Sequence, residues 1–443
     1  MLPQTLGSSK ATHTFPLILI LFVAVATYAR GFDAHFDELV PDNSEIRRAH
    51  ATLMRAPEAE LRNFVQLTES QRSWEHRVRV ETRDEGDFLY VLFLNESFGR
   101  YPVWGAGSYV VRRPLGETEP DQVKIFLRSD PGYYLRIFPH ANRSRMDLHI
   151  ADVATSRSIP VPLSFEQVLR EPLHRIMELT GRTVDWPVLF PLGGTQNYAA
   201  VETMVRRARA ALSDLPDAED GAMDEHGNLV FIESLVLQDQ EPGFNCSGFA
   251  KWIVDGIIKP VNGRYLSIEQ LKRKHPDHRG HRWGLQHDAL RDPYFGLDWT
   301  RNLALAAHSL HVHGTEVPDH TIDPRAADVN SVPFSRYTRD VGFPVSELGR
   351  IMYLLAVSEP GHFYLGSLSR PFGEEPVLRQ HTHVAVLFPY IDRNGIFRVV
   401  VMERNVESSL VSLRRRYENE FIHLVRVRAD ERYEPPHIGR AGE

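Results

Sequence analysis

The spacing of hydrophobic and polar positions changes several times along the chain, and each change marks a change of element. Between Ser44 and Leu67 (SEIRRAHATLMRAPEAELRNFVQL) apolar residues recur at helical intervals, which predicts a helix broken near Pro57. From Trp74 the period falls to two. His76–Glu81 alternates, and Phe88–Leu94 is a continuous apolar run of the kind a buried strand shows. Ser108–Arg113, Gln122–Arg128, Tyr133–Pro139, Arg145–Val153 and Ile159–Leu163 follow at short intervals, separated by turn-rich pieces such as Ser129-Asp130-Pro131-Gly132. Short strands so spaced predict an all-β, sandwich-like or barrel-like domain over residues 74–163.

Helical periodicity returns over Ser164–Arg182 and Gln196–Leu215. In the second stretch Ala199, Val201, Met204, Ala208 and Leu212 form an apolar face opposite Arg206, Arg207 and Arg209. Asp214–Asn228 is acidic and turn-rich and reads as a boundary between two halves. Beyond it come a strand (Leu229–Glu233), a helix opening at Cys246 and a helix over Ser267–Lys274. A His-, Pro- and Asp-rich insertion spans residues 275–345, with helices predicted at Thr300–His311 and Ser346–Val357. Strands close the chain at Phe363–Leu368, Thr382–Tyr390, Ile396–Met402 and Glu420–Arg428. A helix followed by antiparallel strands is an α+β order, unlike the alternation of a parallel βαβ fold. The expected layout is a helical lead-in over 30–73, the sandwich-like domain over 74–163, a helical connector over 164–228 and an α+β domain over 229–443.

Residues 1–29 stand apart. Phe15–Ala29 (FPLILILFVAVATYA) is apolar, follows Lys10 and ends in small residues; it is shorter than the roughly 20 residues a spanning helix needs. It reads as a secretory signal peptide cleaved near Ala26 or Ala29, with an uncleaved anchor as the alternative. The protein is then expected to be exported, periplasmic or extracellular, and to meet a membrane only through this segment. With 42% hydrophobic and 25% charged residues over 443 positions, the composition is that of a globular protein. A net charge of −7 argues against a nucleic-acid partner. The single cysteine, Cys246, excludes an intrachain disulfide and any cysteine-rich zinc site, and an exported thiol without a disulfide partner is a candidate reactive group.

Cys246 lies in Gly243-Phe244-Asn245-Cys246-Ser247-Gly248-Phe249-Ala250-Lys251-Trp252-Ile253. Asn245 is a favoured helix N-cap, and Phe249, Trp252, Ile253 and Ile257 share one helical face, so Cys246 is expected in the first turn of a buried helix. The helix dipole lowers a thiol pKa there. The alternative is a small hydrophobe that opens a core helix. A cysteine nucleophile needs a base, and the base needs a third group to fix its tautomer. His381 and His383 open the strand His381–Phe388, and strand alternation puts both on one side. The turn Asp392–Gly395 returns the chain into Phe397–Asn405, where Val399 and Val401 share a face with Glu403 and Asn405. His383 is the expected base, with Asn405 slightly favoured as its orienting partner and Glu403 in support; parity does not separate the two.

Asn245-Cys246-Ser247-Gly248-Phe249-Ala250 resembles the Asp-Cys-Ser-Gly-Phe-Val nucleophile motif of the NlpC group of papain-like cell-wall cysteine peptidases. His383-Val384-Ala385-Val386, followed by Glu403 and Asn405, resembles the closing part of the related CHAP amidases. Glu359-Pro360-Gly361-His362 resembles the Pro-Gly-Asp strand entry of both groups. The resemblance is confined to these three blocks of the C-terminal half. It implies a papain-like domain in which Cys246 attacks an amide carbonyl, His383 moves the proton, and Glu403 or Asn405 holds the imidazole. Peptidoglycan or another peptide is the implied substrate, with no cofactor and no metal. A catalytically inactive binding or structural protein on the same fold, or a thiol acyltransferase, is the alternative.

Other clusters carry less chemistry. His275, His278, His281, His287 and Asp288, with His308, His311 and His313, offer zinc donors, but Pro276 breaks the helical register and no glutamate is flanked by histidines four apart. A solvated insertion is expected. Arg414-Arg415-Arg416 reads as a helix surface, and Asn95-Glu96-Ser97 and Asn142-Arg143-Ser144 fit the glycosylation sequon.

Overall fold

The alternating stretch folds as one antiparallel meander in a computed structural model that describes residues 39–72, 75–190, 195–275, 296–315, 322–374 and 377–438. Strands β1 (Leu67–Ser70), β2 (Arg77–Glu85), β3 (Phe88–Asn95), β4 (Tyr109–Pro114), β5 (Gln122–Phe126), β6 (Tyr134–His140), β7 (Arg143–Ile150) and β8 (Val153–Val161) pair in chain order. The expected sandwich is not formed: all eight strands lie in one sheet. Each strand pairs with its predecessor in sequence, whereas two stacked sheets need connections that cross between layers.

Helices supply the second layer instead. Alternate residues Val78, Val80, Val91, Val111, Val123, Ile125, Leu135 and Ile137 are buried with Ile46 of α1 (Ser44–Ala49) and Leu61 of α2 (Glu58–Arg62). Val168 of α3 (Phe165–Arg170), and Leu173 and Ile176 of α4 (Leu173–Thr180), complete the cover. Pro57 caps α2 and Pro172 caps α4, so both predicted long helices are split at a proline. The sequon residue Asn95 is 1% exposed, and its Nδ2 donates to the Pro41 and Ala106 carbonyls, so it is structural.

The C-terminal half holds helix α5 (Ala199–Ala211), the short strands β9 (Ala222–Met223) and β10 (Leu229–Val230), and helices α6 (Cys246–Asn262), α7 (Ile268–Leu271), α8 (Leu297–His313), α9 (Leu348–Ser358) and α10 (Leu410–Arg416). Its six-stranded antiparallel sheet comprises β11 (Phe343–Pro344), β12 (His362–Phe372), β13 (Leu378–Ile391), β14 (Phe397–Glu403), β15 (Val406–Ser409) and β16 (Phe421–Arg428), in the order β11-β16-β12-β13-β14-β15. The fold is therefore α+β, a mixture of helices and antiparallel sheets.

This second sheet is buried on both sides. Leu368, Ala385, Leu387, Val401 and Leu424 join α9 in the same apolar core as the N-terminal sheet. Val384, Val386, Phe388, Met402 and Val425 face the other way, onto Cys246, Phe249, Trp252 and Ile253 of α6 and Leu303 of α8. Burying each such side chain is worth roughly 1.5–3 kcal/mol. Helix α6 is apolar on nearly every side, and its one internal charge pair, Lys251 Nζ to Asp255 Oδ2 at 2.6 Å, is fully buried.

The C-terminal segment crosses α6 where a side chain is absent. Trp252 Nε1 donates to the Pro436 carbonyl at 3.0 Å, and a Cβ on Gly256 would stand 2.3 Å from the Tyr433 ring. Gly256→Ala is expected to destabilise the protein by about 1–3 kcal/mol through overpacking. Denaturant unfolding checks this; unchanged stability would show that the tail does not rest on the helix.

Candidate active site

Three backbone contacts decide where Cys246 sits. Cβ atoms would stand 2.0 Å from the Gly243 carbonyl at Gly221 and 1.9 Å from the Gly221 carbonyl at Gly248, and one at Gly243 would meet the Asp217 backbone at 2.7 Å. Glycine at these positions lets the loop before α6 lie directly on residues 217–222. Gln238 fills the loop from within: its Nε2 donates to the Asp220 and Val230 carbonyls at 2.9 and 3.0 Å, and its Oε1 accepts the Gly243 N–H at 2.6 Å. Asn245 caps the helix as expected, accepting from the N–H groups of Ser247 at 3.0 Å and Gly248 at 2.8 Å. Cys246 is the first helical residue, and its N–H is among those that an α-helix leaves without an internal acceptor.

Residues 215–218 then tie this loop to the histidine hairpin. Phe244 N–H donates to the Pro216 carbonyl and Ala218 N–H to the Phe244 carbonyl, each at 3.0 Å. On the other side Asn405 Nδ2 donates to the Leu215 carbonyl at 2.8 Å, and Arg404 Nη1 pairs with Asp217 at 2.9 Å. The acidic stretch read as a boundary is thus part of the site's frame. Asn405 holds the turn between β14 and β15 and is not directed at the imidazole. Arg404 adopts a left-handed conformation (φ 54°), which turns the chain before Asn405 and ends the alternation that aligned it with Glu403.

His383 Nε2 bonds Glu403 Oε1 at 2.8 Å, and the Cys246 thiol lies near enough to the imidazole for each to favour the other's charged form. Its neighbour diverges. The β12–β13 register shifts between Leu368, opposite His383, and Ser369, opposite His381, so Thr382 is an extra residue and simple alternation fails. His381 is buried elsewhere, with Nδ1 at 2.8 Å from Ser367 Oγ and Nε2 at 3.2 Å from the Asp340 carbonyl. The pairing of β13 with β14 stops at Val386–Met402, and the Val384 N–H nearby favours the charged form of the Cys246 sulfur.

The charges form a line. Burial opposes a thiolate at Cys246, but hydrogen bonding to His383, the imidazolium charge and the Val384 N–H outweigh it, and the thiol pKa falls below its ordinary value. Burial likewise opposes the imidazolium, yet Cys246 and Glu403 raise His383 from 6.5 to about 9. Glu403, penalised by burial, is pulled down to about 2 by His383 and by Arg416, whose guanidinium donates to Oε2. At neutral pH the site therefore carries an imidazolium and a carboxylate, beside a thiol whose ionisation the imidazolium favours. The Tyr417 ring lies nearly parallel to the imidazole, with centroids 6.0 Å apart and planes 13° apart. Of the three arginines read as helix surface, Arg416 reaches into the site.

The stability linkage has two windows. The raised His383 pKa stabilises the fold fully below about pH 6.5, and that contribution is lost as pH rises through about 9. The depressed Glu403 pKa stabilises it above about pH 4.5, and that contribution is lost as pH falls through about 2.

No group of histidines, cysteines and carboxylates able to hold a metal occurs among the described residues. His278, His281, His287 and Asp288 lie outside them, while His275 bonds Asn302 Oδ1 at 2.7 Å. The run Phe15–Ala29 is also outside them, and no described helix is long and apolar enough to cross a membrane. A family model described as a domain of unknown function (DUF8515) matches residues 37–188, which hold the N-terminal sheet and none of Cys246, His383 and Glu403. No curated protein and no solved structure matches the chain.

The thiolate is open to a direct chemical test. Alkylation of Cys246 by iodoacetamide is expected to be fast at neutral pH, well below the thiol's ordinary pKa of 9.0. His383→Ala should move the rise to higher pH, and Glu403→Gln should bring the imidazolium's deprotonation down from about 9. A wild-type rate that climbs about tenfold per pH unit up to the ordinary thiol range would show that the pair does not form.

Proposed function

We propose that this protein is a cysteine hydrolase of peptide or amide bonds, built on a papain-like C-terminal domain. One observation carries the reading: a thiol at a helix N-terminus lies beside an imidazole that a buried carboxylate holds by a hydrogen bond of 2.8 Å. The Cys246 thiolate attacks the carbonyl carbon, and the carbonyl oxygen takes up the negative charge. The Cys246 backbone N–H and the positive end of α6 are placed to stabilise that oxyanion. The imidazolium of His383 gives its proton to the leaving amine as the C–N bond breaks, which leaves a thioester. Neutral His383 next takes a proton from water as the hydroxide oxygen adds to the thioester, and breaking the C–S bond restores the thiolate. Glu403 holds the ring through Nε2 and keeps the imidazolium charged, while Arg416 keeps Glu403 ionised.

Peptidoglycan is the proposed substrate and an exported location the proposed setting. The support is the resemblance of the Cys246 block to cell-wall peptidases and the apolar run at 15–29. Cys246→Ala is expected to abolish release of peptides from purified peptidoglycan, read by mass spectrometry, while leaving the melting temperature nearly unchanged. Release at the wild-type rate by that variant would end the proposal.

A further inference from the structure

At the turn of the β13–β14 hairpin, away from His383, a crevice of about 220 Å³ separates the hairpin from the N-terminal sheet. Asn95, Glu96, Ser97, Arg128, Ser129 and Gly395 are among its walls. Arg128 is 7% exposed. Its Nη2 donates to the Gly395 carbonyl at 2.7 Å and its Nη1 makes a long contact of 3.4 Å to the Tyr353 hydroxyl. Its Nε, also buried, has no partner among the described residues. No described carboxylate pairs with this guanidinium; Asp130, whose pKa burial raises, accepts from the Gly132 N–H at 2.8 Å.

A buried cation with no counter-ion among the described residues, and with two of its five donors engaged, is costly to keep. A bound carboxylate removes the cost, because its two oxygens match the guanidinium fork. Glu96 in the same walls accepts one hydrogen bond from the Tyr101 hydroxyl at 3.3 Å and adds a negative charge. That charge disfavours phosphate and other polyanions and suits a ligand with an ammonium group. The volume admits a small molecule and not a polymer. We propose that this crevice binds an amino acid or short peptide, with its carboxylate on Arg128 and its ammonium toward Glu96. The site stands apart from Cys246 and does not depend on the hydrolase reading.

The test is calorimetric titration of alanyl-alanine into full-length Cys246→Ala protein, in which the thiol cannot act on the probe. Saturable binding is expected, weakened at least about tenfold for the methyl ester, the loss of one charge-assisted interaction. In Arg128→Gln the acid and the ester should bind alike. Ala106→Phe, which narrows the crevice and keeps Arg128, should weaken binding comparably and guards against an Arg128 variant that fails to fold. No binding, equal binding of acid and ester with Arg128 present, or undiminished binding by Ala106→Phe would each overturn the assignment.

Discussion

The buried thiol of Cys246, 8% exposed, has its charged form favoured by the imidazolium beside it, and the remaining geometry of the site serves that pairing. Water screens little at such a position, so the imidazolium of His383 gains from the thiolate and the thiolate from the imidazolium. Neither would be favoured alone, because burial penalises each charged form. Glu403 extends the alternation, and Arg416 closes it toward solvent, being 45% exposed itself. The order of charges is negative, positive, negative, positive. Removing an inner member leaves a buried neighbour uncompensated, which costs more than the lost hydrogen bond.

Alignment of that series rests on backbone, not on long side chains. Residues 215–218 bond the nucleophile loop through Phe244 and the hairpin through Arg404 and Asn405. Gly221, Gly243 and Gly248 make the loop's close approach possible, and Gln238 fills it. The six-stranded sheet serves as a wall shared by two cores, one under α6 and one continuous with the N-terminal sheet. A shift of β13 or β14 would therefore be felt in both halves of the molecule.

Much of this was legible from periodicity. The strands from Phe88 to Pro139 and from Phe363 to Arg428 fall within a few residues of their predicted limits, because each is an alternating or continuous apolar run bounded by turn residues. Cys246 at a capped helix start was legible for the same kind of reason: an N-cap type precedes an i, i+3, i+4 apolar pattern. What alternation could not show was where alternation stops. The extra residue Thr382 separates His381 from His383, and the left-handed Arg404 turns Asn405 away. Long-range partners were equally hidden. Nothing local marks Arg416 as a ligand of Glu403, Gln238 as the filler of the loop, or an acidic turn-rich stretch as a clamp. A single meander in place of two sheets follows from pairing partners, which strand patterns alone do not name.

The most direct test of the charge series is a pH titration of the His383 ring by nuclear magnetic resonance, in the wild-type protein and in Cys246→Ala. The account predicts a wild-type midpoint near 9 that falls when the thiolate is removed. A midpoint close to the ordinary 6.5 that ignores the loss of Cys246 would contradict it.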